Sequence, residues 1–135
     1  MATSVEATMI LADGAQVADG KLYVLGGGWT RLKPHIPVRQ SLGIVVHVPF
    51  DLTNHPLKLH VQLLDDDSNT VGLGGNEVKV DVEFEVGRPP GVKHGETINF
   101  PLALDFDGLA LEPGGYVWQC EVDGESVARW PFRVV

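Results

Sequence analysis

The sequence holds a single cysteine, Cys120, among 135 residues. One cysteine cannot form an internal disulfide, and a chain of this length is long enough to bury a sufficient core as one domain. No apolar run approaches the roughly 18 residues of a membrane span, and the N-terminal segment lacks the basic flank and apolar core of a signal peptide. We therefore expect one domain over residues 1–135, a cytoplasmic location and no membrane contact.

Positive charge is scarce. Ten Lys and Arg stand against eighteen Asp and Glu, a formal net charge of −8. Such a chain repels phosphate backbones, so nucleic acid is not expected as a partner. The glycine runs also lack the Lys-Ser/Thr ending of a phosphate-binding loop, which argues against nucleotide binding.

Helical spacing of apolar residues is absent as well. Alternation with a period of two recurs instead, broken by 16 glycines and 9 prolines. Seven to nine short strands in one small chain predict an all-β protein, a two-sheet antiparallel β-sandwich, with a small β-barrel as the alternative.

The first pair of strands is predicted at Met9–Val17 and Lys21–Leu25. A two-residue Asp-Gly turn would join them and place Val17 opposite Leu22. Asp13 then falls on the inward side, opposite the glycine run at 26–28. It either ties down an irregular turn through backbone N–H groups or serves as a ligand-binding or catalytic acid.

The segment that follows, Thr30–Arg39, holds two prolines and most of the local positive charge, so we interpret it as an exposed connection. Trp29 at its start either folds over the core or forms part of a recognition surface. Asp13, Trp29, Arg31 and His35 are the candidate binding residues.

The clearest pair of strands is Ser41–Pro49 with Pro56–Leu64. Their apolar residues share one face, which would be buried. The same pairing would bring His47 and His60 close together on the outer face. With His55 in the nearby loop, the pair could suggest zinc. Zinc normally takes at least three protein ligands, however, and no cysteine or fixed carboxylate is placed to complete the set, so a solvated face is preferred and no metal site is assigned.

The stretch Asp65–Thr70 has a calcium-loop spacing at its start. The required glycine is replaced by Thr70, and Asn76 stands where the bidentate glutamate belongs, so an EF-hand is rejected. A polar turn explains the same residues, with weak calcium binding by clustered carboxylates left open.

The second half of the chain is predicted to contain four strands. Asn76–Val86 alternates valine and phenylalanine with a charged outer row, which indicates a solvated face or a guarded edge. A loop at 87–95 would cross between sheets, and Pro101 would lie at an edge or bulge. A three-residue loop, Val122–Gly124, would join Gly115–Glu121 to Glu125–Val135, put Trp118 and Trp130 on one face and leave Cys120 in the core.

Several of these motifs resemble one known family. Leu11-Ala12-Asp13, Gly20-Lys21-Leu22, Leu25-Gly26-Gly27-Gly28-Trp29, Leu63-x-Asp65-x-Asp67 and the closing Gly115-Tyr116, Asp123-Gly124 and Trp130-Pro131-Phe132 are similar to a family of short bacterial proteins, common in actinobacteria, classed as a domain of unknown function. The resemblance implies a compact β fold and no catalytic residue.

No constellation of residues indicates catalysis, and no cofactor is expected. Our leading hypothesis is a protein that acts by contact with a protein partner, including self-association, because the basic connection and the acidic turn offer patches of opposite sign. The alternatives are a small-ligand module that holds a sugar at Trp29, and a metal-dependent enzyme using His47 and His60.

Overall fold

The computed structural model describes residues 4–33 and 38–135, so the candidate binding residue His35 lies outside the described part. The described chain is built of strands. They are β1 Glu6–Ala18, β2 Lys21–Gly27, β3 Arg31–Leu32, β4 Val38–Pro49, β5 Pro56–Asp65, β6 Gly72–Leu73, β7 Asn76–Glu77, β8 Lys79–Glu85, β9 Thr97–Leu109, β10 Gly114–Val122 and β11 Glu125–Val134. A single turn of 3-10 helix, Phe50–Leu52, follows β4. The all-β class is confirmed.

Two sheets form the body of the protein. Sheet 1 has the order β2-β1-β4-β9, and sheet 2 has the order β3-β11-β10-β5-β8. Every pairing in them is antiparallel except that of the two-residue strand β3 with β11. Over the described ranges, no helix is long and apolar enough to cross a membrane.

The core lies between the inner faces of the two sheets. β4 contributes Leu42, Ile44, Val46 and Val48, and β5 contributes Leu57, Leu59, Val61 and Leu63, all of which are buried as expected. The expected pairing of these two strands is wrong, however. β4 lies between β1 and β9, whereas β5 lies between β10 and β8, so their apolar rows meet across the sandwich rather than side by side.

The first hairpin has the expected register, with Val17 opposite Leu22. Asp19 and Gly20 have φ values of 51° and 69°, the left-handed conformation at both central positions that suits a two-residue hairpin turn. The hairpin curls over the outer face of sheet 1, because a Cβ on buried Gly43 would lie 3.1 Å from the side chains of both Leu22 and Val24. The absence of a side chain at Gly43 therefore gives the hairpin room to pack.

The closing hairpin differs from its expected form in the loop. The turn has two residues, Asp123 and Gly124, and the extra residue lies within the strands, as a bulge next to Cys120. Trp118 still lies opposite Trp130, and Cys120 is 0% exposed. The face of these side chains was predicted correctly because burying the large aromatic groups together determines the register, wherever the bulge is placed.

The connection from sheet 2 to sheet 1 runs through residues 87–95, as expected, and Arg88 anchors it. The Nε and Nη2 atoms of Arg88 donate to Thr53 Oγ1 at 3.0 and 2.8 Å, and its guanidinium lies 3.7 Å from the centre of the Phe50 ring. Thr53 in turn donates to the Phe50 carbonyl at 2.6 Å. β8 and β9, which flank this connection, are both edge strands, and β9 carries Pro101.

Candidate functional site

Three arginines share the outer face of sheet 2. Arg129 and Arg133 alternate with inward residues along β11, and Phe132 and Val134 beside Arg133 are buried. Arg31 lies directly opposite Arg133 in the parallel pairing of β3 with β11. Arg31, Arg129 and Arg133 are all exposed, and we name them the arginine face.

The glycine run and Trp29 position Arg31. Gly26 and Gly28 have φ values of 62° and 96°, which turn the chain from sheet 1 toward sheet 2. The Trp29 carbonyl accepts a hydrogen bond from Trp130 Nε1 at 3.0 Å, and the next carbonyl, that of Thr30, accepts one from the Arg133 N–H at 2.8 Å. Arg31 follows immediately and is thereby held beside β11.

Trp29 itself is half-buried. Its ring packs edge-on against Phe132, with 5.9 Å between ring centres, and it contacts the core. The indole nitrogen is buried and has no hydrogen-bond partner among the residues described. Of the two readings of Trp29, packing over the core fits this position.

A groove of about 490 Å³ opens beside the arginine face. Arg129 and Arg133 line one side, and Asp65, Asp66 and Ser68 line the other. The remaining lining comes from residues of β10, β11 and the chain before β3, namely Thr30, Gly115, Tyr116, Val117, Pro131 and Phe132. Of the two charged segments that the sequence analysis singled out, the acidic turn therefore lines the groove, whereas the basic connection Thr30–Arg39 contributes only Thr30 among its described residues.

The acidic side of the groove is a hydrogen-bonded turn. Asp65 Oδ1 accepts hydrogen bonds from the backbone N–H groups of Asp67 and Asn69, at 2.9 and 3.0 Å, which confirms the polar turn. Asp66 Oδ2 accepts a hydrogen bond from the Gly115 N–H at 3.1 Å. A Cβ on Gly115 would collide with the Asp66 carboxylate, so glycine is needed there.

The acidic turn and Glu112 create a negative potential around Tyr116, which lines the groove beside them. Its hydroxyl donates to the Glu112 carbonyl at 2.7 Å. Burial raises the pKa of the Tyr116 hydroxyl, and the negative charges of Glu112, Asp65 and Asp66 raise it further. The groove is thus negative at the acidic turn and positive at the arginine face.

The charges on the two sides of the groove do not pair with each other. Within the described ranges, the ion pairs involve other residues, such as Arg39 with Asp105 at 2.8 Å. Arg88 is engaged by Thr53 and the Phe50 ring. The other three of the five arginines are the arginine face, and each lacks an ion-pair partner in this part of the chain.

Asp13 does not take the position expected for it. It is exposed rather than inward, because the strong curl of the hairpin turns this part of β1 away from the core. Its carboxylate lies over Gly26, where a Cβ would collide with it, so the expected juxtaposition with the glycine run is found. Asp13 does not line the groove.

The predicted proximity of His47 and His60 is wrong. They lie on the outer faces of different sheets, with the core between them. His47 bonds to Thr8 Oγ1 at 2.9 Å and to Asn99 Oδ1 at 2.7 Å, and His60 bonds to Asp81 at 2.7 Å. The hypothesis of an enzyme with a metal held by this histidine pair is therefore abandoned.

Arg129 and Arg133 were missed by the sequence analysis. The signal was present, because Glu125–Val135 was predicted as an alternating strand and arginines four residues apart on a strand share a face. What sequence spacing alone does not reveal is that Arg31, about a hundred residues earlier, pairs with the same strand.

Fold and groove together define an all-β protein of two packed sheets with a charged, open groove on the outside of one sheet. Residues 7–135 match the family of unknown function DUF6941. The chain belongs to that family, which confirms the expectation of a family of unknown function, while the bacterial range stays a prediction.

Other known proteins give no further information on what the chain does. No curated protein matches the chain. Among solved structures, it is similar to the Pseudomonas fluorescens alkylpurine DNA glycosylase AlkC bound to DNA containing an abasic site analog, with 12% identity and a TM-score of 0.46. The match covers 96% of this chain and only 30% of the glycosylase. A likeness this distant carries no inference about activity.

Proposed function

We propose that the protein is a binding module that acts by protein contact, and that its groove takes an acidic segment of a partner protein. The observation that carries this proposal is the arginine face: three exposed guanidiniums without a carboxylate partner in the described chain, on one face of a protein whose net charge is −8. Location in the cytoplasm stays a prediction.

The pairing of Arg31 with Arg133 supports an anionic partner. Like charges directly opposite on neighbouring strands destabilise a sheet. Arg133 lines the groove and Arg31 lies next to it, outside the lining, so a carboxylate bound at Arg133 and also contacted by Arg31 would convert that repulsion into two charge-assisted hydrogen bonds, which are the stronger kind in proteins. The negative charge of the rest of the molecule is largely screened beyond about 8 Å at physiological salt, so the local charges dominate at contact.

The shape of the groove favours a segment of protein over a small molecule. It is open to solvent and combines charged residues with apolar Val117 and Pro131. Arginine and tyrosine are enriched in protein interfaces, and Tyr116 lines this groove beside the arginines. The sugar hypothesis loses its main support, because Trp29 packs against Phe132 instead of standing free.

Titration with an oligoglutamate peptide, followed by heteronuclear NMR of the arginine side chains, tests the proposal. We expect binding that weakens with added salt, and we expect the double variant R129E/R133E to bind at least about a hundredfold more weakly, since it removes two charge-assisted hydrogen bonds worth about 1.5–3 kcal/mol each. K21E/K93E is the matched control, because it also reverses two charges and both lysines are exposed outside the groove lining. Equal binding by the wild type and the double variant would refute the proposal.

Self-association is a second candidate, favoured by a separate observation. β2 is an edge strand of sheet 1, and it exposes Tyr23 and Leu25 by 52% and 74%. Unpaired edges with apolar side chains are templates for another strand. Sedimentation velocity over a range of concentrations should then show a dimer that L25K abolishes, and a wild-type monomer at every concentration would exclude this candidate.

A further inference from the structure

The groove carries uncompensated charge of both signs. Arg129 and Arg133 line one side and Asp65 and Asp66 the other, and none of the four forms an ion pair within the described residues. Opposite charges that share a groove without bridging it leave room between them. A ligand with one group of each sign can occupy that room and satisfy both sides.

Each acidic residue keeps one oxygen available. Asp65 uses Oδ1 for the two N–H groups of its own turn, and Asp66 uses Oδ2 for the Gly115 N–H. The second oxygen of each accepts no hydrogen bond from the described residues. These backbone hydrogen bonds also fix the two carboxylates, so a bound cation meets preorganised acceptors.

From this we infer that the partner segment is bipolar: an acidic residue of the segment binds at Arg129 and Arg133, and a basic residue of the same segment binds at Asp65 and Asp66. The inference rests on the proposed function and names the chemistry of the partner. A segment carrying only acidic residues would meet repulsion at the acidic turn.

The sheet sets the spacing between the two charges. β11 and the end of β5, where the acidic turn begins, are separated by β10. Asp66 reaches over β10 to the Gly115 N–H, and Gly115 pairs with Arg133, so the two charges are one to two strand spacings apart, about 5–10 Å, which an extended chain covers in about two or three residues. The acidic and basic residues of the partner are therefore expected two or three positions apart.

Four short peptides of one length test the inference by calorimetry. One carries glutamate and lysine three positions apart, one has glutamine in place of the lysine, one has glutamine in place of the glutamate, and one has both replaced. We expect the bipolar peptide to bind wild-type protein about tenfold more tightly than the acidic one, equivalent to one additional charge-assisted contact.

Asp66→Asn gives predictions of opposite sign for two peptides. It should weaken binding of the bipolar peptide severalfold and strengthen binding of the acidic one, because a like charge has been removed. Glu83→Gln is the matched control, since it makes the same charge change on β8, away from the groove, and should alter neither affinity. If D66N does not fold, the comparison of the four peptides on the wild-type protein still tests the inference.

The outcomes separate the inference from the proposed function. If the acidic peptide binds as tightly as the bipolar one, or if folded D66N affects both in the same direction, the inference is wrong and the proposed function survives. If R129E/R133E binds every peptide as tightly as the wild type does, or if no peptide binds the wild type, the inference and the proposed function are both wrong.

Discussion

Replacing Arg31 by glutamine should stabilise the protein. Arg31 and Arg133 are directly opposite each other on neighbouring strands, and neither has an ion-pair partner in the described chain. Two unit charges about 6 Å apart in water repel by about 0.7 kcal/mol, which falls within the range of about 0.2–1 kcal/mol for cross-strand pairs. Glutamine keeps part of the aliphatic stem and removes the charge. The free energy of unfolding should therefore rise by about the size of this repulsion, roughly 0.7 kcal/mol.

Arg39→Gln is the control. It lowers the net charge by the same single unit, but it removes the 2.8 Å ion pair with Asp105 instead of a repulsion. We expect it to destabilise the protein by about 0.2–1 kcal/mol, the usual worth of an exposed pair. Because both variants change the net charge of the molecule equally, the difference between them isolates the local interactions.

Urea unfolding measures both variants without adding salt. With an m-value of about 2 kcal/mol/M, the gain expected for R31Q moves the midpoint upward by about 0.3 M. The gain should disappear at 1 M salt, where the screening length is only about 3 Å. A lower midpoint for R31Q at low salt, or a gain that persists at high salt, would refute the reasoning. The same variant should bind the oligoglutamate peptide more weakly, so stability and binding change in opposite directions.

Three further predictions concern buried polar groups. Thr53→Val removes the hydroxyl bonded to Arg88 and should cost about 1–3 kcal/mol in urea unfolding; an unchanged midpoint would contradict it. Burial raises the pKa of the Cys120 thiol to about 12, so the thiol should resist disulfide reagents in the folded state. Because the unfolded thiol ionises near its ordinary pKa, about 8.5, stability should also fall as the pH rises from there toward about 12, and C120A should lack this slope. The hydrogen bond from Ser41, with help from Arg39, lowers the pKa of Asp105. S41A should therefore lose stability at neutral pH but little at low pH, where Asp105 is protonated in both proteins; parallel losses at both would contradict this.

Local sequence patterns predicted which side chains are buried and which strands pair through a tight turn, as in the first and closing hairpins, but not which distant strands are neighbours. Alternation along β4 and β5 identifies the inward residues because each strand has two faces and only one is apolar. It contains no information on the partner, since any apolar-faced strand can lie beside or across from another. His47 and His60 were placed together for this reason, and the sandwich instead puts them on opposite outer surfaces.

The candidate site depends on the kind of contact that is hardest to predict. Arg129 and Arg133 could have been grouped by their spacing on one strand. Their meeting with Arg31 requires a parallel strand of two residues, too short to show any alternation. The acidic turn at Asp65 was recognised from its Asp and Asn chemistry, but its place in the same groove follows only from the strand order of sheet 2.

The contacts around β3 give the physical reason to connect Arg31 with binding. Backbone hydrogen bonds from Arg133 and Val135 to this segment, at 2.8 and 2.9 Å, hold it against β11 whatever side chain position 31 carries. Leu32 packs on the core, so the apolar contact does not need an arginine either. A neutral residue at position 31 would keep all these interactions and remove the repulsion from Arg133. An arginine there contributes to the fold nothing that a neutral residue lacks, and an anion held between the two guanidiniums is the partner that turns its charge into a favourable interaction.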